Sequence, residues 1–171
     1  MRKSTKIASG VIAAGVLGIA VVAITASPDS EPPVTTTNTT TTATAVADWA
    51  SGAGEIVVDT STTMGEFSDC MDRDLTEVDS CVKRASANLH INATALSYHA
   101  DMGKKIEMPP SCKRMVVLTG KYANDLDDFS ALYTDGAINV DIDQMTAVGG
   151  RVTTSAEAVT KSTDSCLKAI A

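Results

Sequence analysis

Residues 109–136 read PPSCKRMVVLTGKYANDLDDFSALYTDG, and this stretch decides the fold. Within it Cys112, Met115, Thr119, Tyr122, Leu126, Phe129 and Tyr133 follow one another in steps of three and four. That spacing stacks side chains on one stripe of an α-helix, whereas a half-buried strand would alternate with period two. Pro109-Pro110 stands at the start, where a missing N–H costs nothing. Asp135-Gly136 stands at the end, with glycine able to take the left-handed conformation that closes a helix.

The same period recurs on both sides. Upstream, Trp49, Ala53, Ile56, Met64, Phe67 and Met71 share a seam, with Thr60 filling its remaining step. Leu75, Val78, Val82, Ala85, Leu89, Leu96 and Ala100 form a second, and Asp74-Leu75-Thr76-Glu77 before it has the spacing of a capping box. Downstream, Ile142, Met145, Val152, Val159, Cys166 and Ile170 form another, interrupted by Gly149-Gly150. The glycine pair marks either a kink or the close approach of a neighbouring helix. No stretch alternates convincingly with period two. The expected fold is all-α, a four-helix up-down-up-down bundle over residues 47–171.

The four cysteines, Cys70, Cys81, Cys112 and Cys166, all lie in this region. The up-down order puts Cys70 and Cys81 at one end of the bundle, and Cys112 and Cys166 at the other. The expected disulfides are therefore Cys70–Cys81 and Cys112–Cys166, one staple per end. No C-x-x-C occurs, so neither a thioredoxin-like redox site nor a zinc ribbon is indicated.

The amino end has another character. Arg2, Lys3 and Lys6 precede Ile7–Ala26 (IASGVIAAGVLGIAVVAITA), twenty residues without a charge. Twenty helical residues match a hydrocarbon core of about 30 Å, and the flanking cations keep the amino side in the cytoplasm. Residues 1–26 therefore read as an export segment, with everything after it outside. The length suits an uncleaved signal anchor; Ile24-Thr25-Ala26 offers a mediocre site for cleavage of a signal peptide. No cysteine follows the apolar stretch as a bacterial lipoprotein would require, and Gly10, Ala14 and Gly18 have the spacing of a helix-pairing face.

Between export segment and bundle, Ser27–Thr44 reads SPDSEPPVTTTNTTTTAT. It has almost nothing apolar to bury, and a disordered stalk is expected over 27–46. Thr35–Thr37 and Thr39–Thr42 could accept O-linked sugar, and Asn38-Thr39-Thr40 and Asn92-Ala93-Thr94 match the N-glycosylation pattern.

The first 26 residues hold three of the 14 Lys+Arg and none of the 21 Asp+Glu, so the outside part carries 11 cations against 21 anions, a net charge of −10. Nucleic-acid binding needs the opposite sign. The layout of apolar amino end, Thr-rich stalk, Trp49 and helical cysteines around Pro109-Pro110 resembles small exported helical proteins of the actinobacterial cell envelope. That resemblance implies an envelope location and lends no site residues.

Candidate chemistry is sparse. His90 and His99 are nine apart, on opposite sides of a helix, and cannot share a metal as an i, i+4 pair does. Asp125, Asp127, Asp128, Asp135, Asp141 and Asp143 cluster in sequence and could gather around calcium, without EF-hand spacing. Met102, Met108 and Met115 around His99 suggest Cu(I) ligands, although core packing also explains methionine there. There is no G-x-S-x-G, P-loop, Glu-x-x-His or C-x-x-C-H. No catalytic residue, metal ligand or cofactor is assigned.

The expected function is a non-enzymatic interaction or structural module of the cell envelope, held to the membrane through Ile7–Ala26 or secreted, with an envelope protein as partner. One alternative is a carrier of a small apolar ligand or metal in a gap left by Ala53, Ala85, Ala100 and Gly149-Gly150. Another is an immunity or exclusion factor at a host membrane.

Overall fold

A computed structural model describes residues 37–136 and 140–171, without the side chains of 37–41 and Leu75. The expected export segment and the stalk as far as residue 36 lie outside the described residues. The rest is all-helical: α1 (Thr37–Met71), α2 (Leu75–Gly103), α3 (Pro110–Ala131) and α4 (Ile142–Ile170). Among the described residues, no helix is long and apolar enough to cross a membrane.

Chain neighbours are antiparallel neighbours in space. Near the start of α1, the Trp49 indole donates to the carbonyl of His99 near the end of α2. Ser86 in α2 donates to the carbonyl of Ser130 near the end of α3, and the first turn of α3 is bonded through Cys112 to Cys166 in the last turns of α4. α1 also touches α4, over less of its length, and barely meets α3, which lies diagonally opposite. This is the up-down-up-down order.

The sulfurs pair as Cys70–Cys81 and Cys112–Cys166, the pairing expected from the topology. Each staple belongs to one of two apolar clusters. Around Cys70–Cys81 lie Phe67, Val82, Leu89, Leu126, Phe129 and Tyr133, with the Phe67 and Tyr133 rings edge to face at 4.6 Å. Around Cys112–Cys166 lie Val46, Trp49, Ala53, Ala100, Met108 and Met115. Buried Thr119 and Ser162 mark the level between the clusters.

All seven seam positions from Cys112 to Tyr133 are buried, the last just past the end of α3. The α-helix itself stops at Ala131, and tighter turns carry the chain to Gly136. Gly136 has φ +99°, and a Cβ there would overlap the Asp79 carboxylate, so glycine is required at this stop.

Three expectations need correction. α1 begins at Thr37, ten residues ahead of the expected bundle boundary, and Val46 is completely buried. Val46 packs in the same cluster as Trp49, so the buried seam of α1 starts one turn ahead of the expected one. Asp74 takes the N-cap backbone conformation, but its side chain makes no cap bond. The side-chain cap is instead on α4, where Asp141 Oδ1 accepts from the amides of Asp143 and Gln144 at 2.8 and 3.0 Å. Ile142, expected in the core, is 68% exposed; at the first helical position it lies beyond the packed turns, and Val148 is the first buried residue of α4.

α4 is helical through Gly149-Gly150. A Cβ on Gly149 would lie 3.8 Å from the Phe129 ring, an ordinary contact, and one on Gly150 would meet nothing within 4 Å, so neither glycine is required by close approach of a neighbouring helix.

Candidate functional site

The residues able to do chemistry are engaged separately across the bundle. His90 reaches across from α2 to α3, its Nδ1 2.6 Å from Asp127 Oδ1. His99 faces α1 instead. Its ring stacks on Trp49 at 5.3 Å between centroids, and its Nε2 lies 2.7 Å from the Trp49 carbonyl oxygen, which requires the ring nitrogen to donate. The Trp49 indole returns a hydrogen bond of 2.8 Å to the His99 carbonyl. This reciprocal latch is tight: a Cβ on Gly52 would come within 2.9 Å of the His99 ring. A Cβ on Gly103 would come within 2.7 Å of both the Trp49 ring and Val116.

Of the six acidic residues that could have gathered around a cation, Asp125, Asp127, Asp128 and Asp141 are engaged elsewhere. Asp125, almost buried between α3 and α4, is paired with Lys121 and lies 3.4 Å from Arg151 Nε. Burial pushes its carboxyl upward. Hydrogen bonds from Lys121 and Ser155, the Lys121 charge and the Arg151 contact outweigh burial and hold it below the ordinary carboxylate value. Arg151 also reaches Asp128 at 2.7 Å, Asp127 meets His90, and Asp141 caps α4. Among the described residues, no three His, Cys, Asp or Glu side chains are grouped to hold a metal.

Met108 and Met115 are core residues around Cys112, and Met102 points outward at 38% exposure. Of the small residues that sequence placed around a carrier gap, Ala85 is buried in the Cys70–Cys81 cluster and Ala53 and Ala100 in the Cys112–Cys166 cluster. An open groove of about 460 Å³ lies on the surface between α3 and α4, lined by Leu132, Gln144, Val148 and Arg151 among others. Its Arg151 already serves Asp125 and Asp128.

Two tyrosines are buried, and burial raises both to about 12. At Tyr122 a hydrogen bond with Thr60 partly opposes the effect; the Tyr133 hydroxyl makes no hydrogen bond. Both therefore remain protonated at neutral pH and act as core residues.

One surface is arranged differently. On the outward side of α2, Ile91 is 63% exposed and Tyr98 is 67% exposed. With half-buried Ala95 and exposed Met102 they recur at i, i+4, i+7 and i+11, a second helical stripe turned away from the core. From Lys83 to Lys105, α2 and its end carry Lys83, Arg84, Lys104 and Lys105 against a single acid, Asp101. Lys83 is paired with Asp79 and Lys104 with Asp101. Arg84 and Lys105, both exposed, bracket the apolar stripe. The pattern is present in the sequence but is masked there by the stronger inward seam of Leu89, Leu96 and Ala100.

No family model, curated protein or solved structure matches this chain.

Proposed function

We propose that this chain is an extracytoplasmic, non-enzymatic interaction module of the cell envelope, carried out by residues 1–26 and held close to the membrane by Ile7–Ala26. The observation that carries the reading is the outward face of α2, where Ile91, Tyr98 and Met102 stand exposed along one stripe. Such a face suits contact with another surface. The two disulfides fit an oxidising compartment beyond the cytoplasm, and the layout likeness to exported actinobacterial proteins points the same way. The chemical groups are engaged in caps, ion pairs and core packing, which leaves contact as the activity the geometry supports best.

Two measurements test it. Protease added to intact cells should remove the bundle while cytoplasmic markers survive; a fully protected bundle would refute the location. The purified chain should not turn over generic ester, phosphate-monoester or glycoside substrates. Turnover well above background, abolished by a single substitution in the bundle, would refute the non-enzymatic reading.

A further inference from the structure

We infer that the outward face of α2 pairs with the same face of a second copy of this chain, the two helices running antiparallel about a two-fold axis at Ile91. The inference rests on the reading above that this face is a contact surface, and it names what covers it.

The order of residues along the face selects the partner. Glu77, Arg84, Ile91, Tyr98 and Lys105 recur every seven residues, which keeps them near one line on the helix surface. All five are exposed, Ile91 at 63% and Tyr98 at 67%. Turned end for end about Ile91, this line complements itself. Ile91 meets Ile91 of the second copy. Arg84, seven residues before it, meets Tyr98, seven residues after. Glu77, fourteen before, meets Lys105, fourteen after. A guanidinium over a tyrosine ring is a cation–π pair, Glu77 with Lys105 is an ion pair, and a two-fold axis makes each contact twice. Ala87 and Ala95 stand four residues on either side of the axis and are small enough to let the helices approach.

Other registers lose this match. A parallel pair sets each residue opposite itself, Arg84 against Arg84 and Lys105 against Lys105, and like charges so placed repel. An antiparallel pair slid by seven residues, so that Ile91 meets Tyr98, brings Arg84 against Lys105. Slid the other way, Ile91 meets Arg84 and Lys105 passes the start of the facing α2. Glu77 can change partner, because its contact with Arg73 is 3.9 Å and both side chains are exposed; such pairs hold weakly. From Glu77 to Lys105 the face runs 28 residues, about 42 Å. At about 10 Å wide it covers roughly 400 Å² on each copy, half of a standard interface. The pair is therefore weak between separate chains, and concentrating copies on one membrane favours it.

The test uses the purified full chain in mild detergent, with Ile91→Cys as the target of a short bismaleimide, which joins thiols and leaves disulfides intact. Val117→Cys and Ile142→Cys are the controls, since both native side chains are 68% exposed. Unchanged far-UV circular dichroism confirms that each variant folds. Ile91→Cys should give a covalent dimer, and the controls should give little. Adding Glu77→Lys to Ile91→Cys, or adding Lys105→Glu, should lower the yield about tenfold, because two pairs per dimer turn from attraction to repulsion. Both changes in one chain exchange the charges of each pair and should restore the yield. Equal cross-linking at 91, 117 and 142, none at 91, or no restoration by the double change overturns the inference. So does cross-linking in native envelopes to a chain of different mass alone, which leaves the face a contact surface with another partner. The protease test of location is independent: a protected bundle that still forms the dimer refutes the envelope reading and not the pairing.

Discussion

Removing the Cys112–Cys166 bridge should destabilise the bundle more than removing Cys70–Cys81. The bonded residues are 54 apart in the first case and 11 in the second. The chain-entropy argument gives about 4 kcal/mol for the longer loop and about 3 kcal/mol for the shorter. All four cysteines are buried, so the perturbation of choice is the paired change to alanine, which leaves no unsatisfied hydroxyl. At about 2.1 cal/mol/K per residue for the unfolding entropy, a domain over 37–171 should lose about 15 °C in Tm for Cys112→Ala with Cys166→Ala. The matching loss for Cys70→Ala with Cys81→Ala is about 10 °C. Reversible thermal and denaturant unfolding followed by far-UV circular dichroism measures both. Trp49 shares a cluster with Cys112 and Cys166, so its emission reports the stapled end separately. Equal losses, or a larger loss for the 70–81 pair, would refute the argument from loop length.

Glycine positions give a contrast of sign. Gly103→Ala places a methyl group against Trp49 and Val116 and should cost about 1–3 kcal/mol with a shift in Trp49 emission. Gly150→Ala meets nothing within 4 Å and should stabilise α4 by about 0.5–1 kcal/mol in denaturant unfolding. Leu96 is fully buried and Ile142 is 68% exposed. Leu96→Ala should therefore cost about 2–5 kcal/mol, and Ile142→Ala should remain within about 0.5 kcal/mol of the parent in the same assay. The lowered Asp125 pKa means that the fold favours its ionised form. Its contribution is present above the ordinary carboxylate value of about 3.9 and is lost as pH falls through the lower folded value. Asp125→Asn should cost about 2 kcal/mol at pH 7, with the gap closing below about pH 4; a gap independent of pH would show that packing, not charge, is responsible.

The fold was legible where seams are apolar. Every position of the Cys112–Tyr133 pattern is buried, and the disulfide pairing follows once helix order is known. Legibility fails where polar residues occupy the seam. In α4 the buried set is Val148, Val152, Ser155, Val159, Ser162 and Cys166, a regular alternation of four and three whose two serines hide it from a hydrophobicity reading. In α1, Val46 is hidden by the threonines before it. Capping chemistry misleads at Asp74 and is missed at Asp141, because both have the right residue type and only the local backbone decides which side chain bonds. Arg151 is unremarkable in sequence; it meets Asp125 and Asp128 because α4 returns antiparallel along α3. The α2 face was readable in principle as a stripe stepping four, three and four residues from Ile91 to Met102, yet exposure cannot be assigned until the inward seam has been matched to its neighbours.

The placement of the two staples has a mechanical consequence. A pull between Thr37 and Ala171 can straighten only 37–70, 81–112 and 166–171, because each sulfur bridge shunts the load past the residues it encloses. Close to half the contour of the domain cannot be drawn out while both bridges stand. Under tension from a tether, α1 can peel away and α2 can uncoil, but most of α3 and α4 lies inside a closed covalent ring that bears no load.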